Sequence, residues 1–185
     1  MNILVRTYGG WTVVRPDTTW EKDNEDFYPP ETVTELSCAP VLFARVGKPG
    51  KSVGKRFASR YFDEVGLGLL LYPENLVTSD VESFASAICL DHSSFLPFPM
   101  FSPEEKGVGV RVLKDGKDFF EYVYDDSGAV EDALVEVSKS CYLRVGDIVA
   151  AELSERRALV SRADGKVEVK GFWGEKESMD FSVIF

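Results

Sequence analysis

Two Asp-Gly pairs and one Gly-Gly pair cut much of this chain into short apolar runs, and that punctuation limits its fold more than any other feature. Asp115-Gly116 lies between Gly107 to Leu113 and Phe119 to Tyr124. Asp and Gly tolerate the positive φ that a two-residue hairpin turn demands, so the pair predicts a β-hairpin. Asp164-Gly165, between Ala158 to Arg162 and Val167 to Val169, predicts a second. Gly9-Gly10, between Asn2 to Arg6 and Trp11 to Val14, predicts a third. Val41 to Val46, an apolar run with β-branched and aromatic members, Val65 to Leu71, a buried-strand candidate, and Met179 to Phe185 also read as strands.

Helices are expected to be few. Lys55 to Val65 follows Ser52, a candidate cap, and spaces Phe57, Tyr61 and Val65 by four. Glu74 to Ala87 offers Leu76, Val81 and Phe84 as apolar positions, and Val130 to Ser138 offers Val130, Leu134 and Val137. Many strands with a few inserted helices predict a β-rich α+β architecture. At 185 residues the chain suits a single domain over 1–185, with no repeat or linker.

The net charge of −10 disfavours a phosphate backbone as partner, so no nucleic-acid binding is expected. The densest basic stretch, Lys48, Lys51, Lys55, Arg56 and Arg60, reads as a solvated face. The longest apolar run, around Val65 to Tyr72, is too short to span a bilayer, and no membrane role or signal peptide is expected. Cys38, Cys89 and Cys141 are scattered and odd in number, which suits free thiols in a cytoplasmic protein.

The run Leu42 to Gly68, LFARVGKPGKSVGKRFASRYFDEVGLG, has an apolar strand, a Gly-Lys loop, an Arg-Phe-Ala-x-Arg-Tyr segment and a strand entering Val-Gly-Leu-Gly. Around it stand Pro16-Asp17-Thr18, Phe27-Tyr28 with Pro30, Leu90-Asp91-His92-Ser93-Ser94, Leu143 to Val149 and Asp180 to Ile184. In order and spacing these segments resemble short bacterial members of the fumarylacetoacetate hydrolase family. The resemblance covers the chain from about Val14 onward. It implies that family's mixed β-sandwich roll with a few short helices, and homodimerisation through the β-rich core. It also implies one Mg²⁺ or Mn²⁺ serving hydrolysis, decarboxylation or tautomerisation of small β-dicarbonyl and 2-oxo acids.

The site residues depart from that pattern. Counted from Arg45, the family's Glu-x-Glu ligands fall on Ala39 and Val41, and a frequent upstream His falls on Ser37. The ligand Asp falls on Leu70, and the substrate lysine on Ile88. A shift of one or two residues brings in only Pro40, Leu42, Leu67, Leu69 or Leu71, none a metal donor. The glycine-led substrate loop after the Gly-Asp strand falls on Glu152-Leu153-Ser154, where Glu152 adds bulk and charge. By the same resemblance, the family's amino-terminal lid segment is expected to be missing or reduced. We therefore expect no metal cofactor, a packed floor at Ala39, Val41 and Leu70, and a catalytically inactive relative with a structural, regulatory or ligand-binding role. Its partners would be a second copy, an active paralogue or a small organic acid. The alternative is a metal-dependent hydrolase or decarboxylase of small diketo or 2-oxo acids with a rearranged site.

His92 is the only histidine, beside Asp91, and is either a general base or a surface residue; by the resemblance it joins Ser37, Ala39, Val41, Leu70 and Ile88 in an expected degenerate pocket. A triad with Ser93 or Ser94 is disfavoured, because neighbours on one strand point to opposite faces. Trp11, Trp20 and Trp173 read as packing residues more readily than as a ligand cage.

Overall fold

The computed structural model describes residues 1–78 and 80–185. The Gly-Gly hairpin forms as expected, pairing β1 (Asn2–Arg6) with β2 (Thr12–Pro16). After the short β3 (Trp20–Glu21) the chain enters β4 (Glu35–Arg45) and β5 (Gly66–Pro73), which run antiparallel at the centre of the larger sheet. β6 (Ser94–Phe95) continues that sheet beyond β5. β7 (Val108–Lys114) and β8 (Lys117–Tyr124) are the hairpin at Asp115-Gly116, both at positive φ. β9 (Ile148–Glu152) pairs with β4 and lies parallel to β1, and β10 (Arg157–Ser161) pairs with the start of β4. β11 (Lys166–Trp173) and β12 (Lys176–Ile184) complete the second sheet, ordered β12-β11-β7-β8. The larger sheet runs β2-β1-β9-β4-β5-β6-β3.

β4 is longer than its apolar run predicts. Pro40 lacks an N–H and would break a ladder inside a central strand. Here it sits where β10 has ended and β9 has not begun, and its carbonyl accepts the Leu153 N–H at 2.9 Å. Asp164-Gly165 does not make a hairpin. β10 belongs to the larger sheet and β11 to the second, so the turn carries the chain between sheets. Asp164 closes it by accepting the Ser161 N–H and hydroxyl at 2.8 and 2.7 Å.

Of the expected helices, one forms as expected. α2 (Gly128–Ser140) buries Val130, Leu134 and Val137 against β9 and β1. Lys55 to Val65 is only a 3-10 turn, Lys55–Arg60, and Ser52, at positive φ, does not cap it. Phe57 is exposed beneath the Arg56 and Arg60 guanidiniums, while Lys55 binds Asp132. The basic stretch is thus partly neutralised by its neighbours. Glu74 to Ala87 divides into a 3-10 turn, Glu74–Leu76, and α1 (Val81–Ala87); position 79 lies outside the described residues. Asp80 starts α1 by accepting the Ser83 N–H at 2.6 Å, and this local cap overrides the longer apolar pattern.

Alternation along β4 creates two cores. Leu36, Cys38, Leu42 and Ala44 join the main core, between the sheets and α2. Ala39, Val41 and Phe43 point the other way, into a smaller apolar cluster with Ile3, Val5 and Ile148. Stacking of Phe95 on Phe181, centroids 3.6 Å apart, ties the two sheets together. Among the described residues no helix is long and apolar enough to cross a membrane.

Candidate functional site

The β4–β5 ladder sets out the site in steps. Ser37 faces Tyr72, Ala39 faces Leu70, and Val41 faces Gly68. Alternate residues share a face, so these side chains descend one side of the sheet. The top step, Ser37 and Tyr72, borders a cleft of about 1270 Å³. The next steps are closed: Ala39, Val41 and Leu70 are fully buried in the smaller apolar cluster, which Ile88 also enters from the end of α1.

The cleft is walled by the β1–β2 hairpin with Tyr8 and Trp11, the starts of β4 and α1, the ends of β5 and β9, and β10 from Ala158 to Ser161, with Lys114 reaching it from the end of β7. Glu152 ends β9 opposite Val41. Its Oε1 accepts the Tyr72 hydroxyl at 2.5 Å and its Oε2 accepts the Tyr8 N–H at 2.8 Å. Ser37 donates to Glu74, which also pairs with Arg156 at 3.2 Å. The Tyr72 ring meets the Arg15 guanidinium at 4.4 Å and that of Arg156 at 5.0 Å. It also stacks on Phe84. Burial pushes the Tyr72 phenol well above its usual range, Arg15 pulls it back, and Glu152 raises it further. Tyr72 is therefore a protonated donor at neutral pH, not a base.

His92 lies elsewhere. It stands at positive φ by a small hollow with Glu25, Asp26 and Tyr28, and the carboxylate that meets its Nδ1 is that of Glu21, at 3.3 Å, not Asp91. Ser93 and Ser94 do not point to opposite faces. Both hydroxyls accept from the buried Arg15 guanidinium, at 3.1 and 3.2 Å, because Ser93 still belongs to the turn and only Ser94 has entered β6. Trp11 borders the cleft, whereas Trp20 donates to the Leu96 carbonyl and Trp173 is buried against Phe101, so the three indoles form no cage.

Sequence reasoning found Ser37 at the cleft and the alkyl positions beneath it. It missed Tyr72, Glu74, Arg15 and Arg156, and saw Glu152 only as an obstruction. Arg15 reaches the end of β5 across 56 positions of chain and Tyr72 meets Glu152 across 80, and their only local signal is polarity at the end of an apolar strand.

No protein-family model matches the sequence, and no curated protein matches it. Solved structures do. A fumarylpyruvate hydrolase from Pseudomonas aeruginosa, described in complex with Mn²⁺ and pyruvate, superposes with a TM-score of 0.81 at 14% identity, covering 100% of this chain and 90% of that one. A fumarylacetoacetate hydrolase family protein from Yersinia pestis CO92 gives 0.81 at 15% identity, covering 99% and 92%. A 5-carboxymethyl-2-hydroxymuconate delta-isomerase from Mycobacterium smegmatis gives 0.75 at 14% identity, covering 99% and 78%. The chain has the fold of the fumarylacetoacetate hydrolase family, β-rich with few helices.

The resemblance to that family implies a divalent cation, and the residues at its positions do not fit one. Ala39, Val41 and Leu70 offer no lone pair, and they pack against one another's cluster rather than around a space. Among the described residues, no three His, Cys, Asp or Glu side chains come together in a way that could hold a metal ion.

Proposed function

We propose that this chain is a metal-free, non-hydrolytic counterpart of the enzymes that share its fold, and that it binds a small molecule in the cleft above Tyr72. One observation carries the reading: the three positions that the resemblance equates with metal ligands are alkyl, adjacent across β4 and β5, and sealed within an apolar cluster. A cation there would lose its hydration without gaining oxygen ligands. The cleft supports the binding role, because it is concave and mixes aromatic walls with a few polar groups. The resemblance adds a homodimer to this reading, and three unpaired cysteines, one of them exposed, support a reducing, cytoplasmic compartment for it.

The test is elemental analysis of protein purified with Mn²⁺ present, followed by assays on acylpyruvates and oxaloacetate with Mg²⁺ or Mn²⁺. Substoichiometric metal and no turnover are expected. Stoichiometric metal with turnover would replace this reading by a hydrolase or decarboxylase whose donors come from elsewhere in the chain.

A further inference from the structure

The cleft has a charge and a surface that together select a ligand. Five carboxylates line it, Glu35, Glu74, Glu152, Glu155 and Asp164, against two cations, Lys114 and Arg156. Arg156 is already held by Glu74 and the Tyr72 ring. Glu152 accepts hydrogen bonds from Tyr72 and Tyr8 but has no ion-pair partner among the described residues. A keto-acid carboxylate entering here would meet net negative charge, with Lys114 the one lining cation that no carboxylate pairs with among the described residues.

The walls add an independent signal. Tyr8, Trp11 and Val81 border the cleft yet are 57%, 76% and 80% exposed, and Phe84 lies beside them. Large apolar side chains held open around a concavity mark a recognition surface. Aromatic walls of this kind pack against the flat body of an aromatic ligand.

We propose that the cleft takes an organic ammonium ion with an apolar, aromatic-sized body, its charge beside Glu152 and its body against Trp11, Tyr8 and Phe84. This rests on the reading of the cleft as a small-molecule site, and it reverses the charge of the ligand that the shared fold would suggest.

Three probes with one aromatic body separate the contributions: phenethylammonium, uncharged 2-phenylethanol and anionic phenylpyruvate. By calorimetric titration and thermal shift on the full chain, the ammonium ion should bind at least tenfold more tightly than either of the others. Glu152→Gln, which keeps an acceptor for Tyr72 but not a second one for the Tyr8 N–H, should weaken the ammonium at least fivefold more than it weakens 2-phenylethanol. Trp11→Ala, at an exposed hairpin tip, should weaken the ammonium ion and 2-phenylethanol alike without lowering the melting temperature. Equal or tighter binding of phenylpyruvate overturns the charge assignment while leaving a metal-free binding protein. Absence of binding by all three overturns the inference, whereas the metal-free reading fails only through the metal and turnover measurements.

Discussion

Arg15 is fully buried, and no carboxylate pairs with it among the described residues. Its guanidinium instead donates to the Ser93 carbonyl and hydroxyl, the Ser94 hydroxyl and the Leu71 carbonyl, and lies on the Tyr72 ring, while its Nε has no partner. Burying a cation on neutral acceptors is expensive, and the fold tolerates it because several dipoles and a π face share the charge. Removing it would strand those acceptors. Arg15→Met should therefore lower stability by about 2–4 kcal/mol in urea denaturation. An unchanged midpoint would mean that Ser93, Ser94 and Thr19, whose hydroxyl lies 2.9 Å from that of Ser94, satisfy one another once the guanidinium is gone. Nothing local in the sequence distinguishes this arginine from a surface one. The alkyl positions Ala39, Val41 and Leu70 could be singled out only through the family resemblance, by counting along the chain from Arg45 and Gly68; that Ala39 and Leu70 face each other is set by the β4–β5 pairing, which no local stretch encodes.

Among the elements, β4 and β5 carry most of the architecture. Gly68 faces Val41, and a Cβ built there would stand 2.7 Å from the Phe95 carbonyl and 2.5 Å from a Leu96 methyl. The methyl can turn aside, but the backbone carbonyl belongs to the β5–β6 pairing and cannot. Gly68→Ala should cost about 1–3 kcal/mol, read from the thermal or urea midpoint. A neutral result would show that β6 shifts freely. The sequence marked β5 correctly as a buried strand, because a continuous apolar run between polar segments has few other uses. It shortened β4 to the apolar run from Val41, whereas the strand begins at Glu35 and holds Pro40 where β10 has ended and β9 has not begun. It also joined β10 to β11 as a hairpin. An Asp-Gly pair fixes a turn but not the sheet to which the outgoing strand belongs.

For the molecule as a whole, the buried acids make stability depend on alkaline pH. Burial pushes the Cys38 thiol from 9.0 up to about 12, with Lys114 and Arg157 pulling back. Tyr124 moves from 10.0 to about 12 by burial and by the nearby Asp126, and Tyr72 is raised too. The unfolded chain releases these protons first. Above pH 9 it therefore binds fewer protons than the folded chain, and stability falls as pH rises toward 12, by at most about 1.4 kcal/mol per pH unit for each group. Melting temperatures should be flat from pH 7 to about 8.5 and decline beyond, and Cys38→Ala should make the decline shallower; a flat profile to pH 11 would contradict the burial of these groups. The hairpin of β1 and β2 adds a different consequence. β2 is the last strand on its side of the larger sheet, and the same hairpin walls the cleft. Selection on what the cleft holds and selection against sticky sheet margins thus fall on one short stretch of chain, so its tip cannot drift toward either demand without answering to the other.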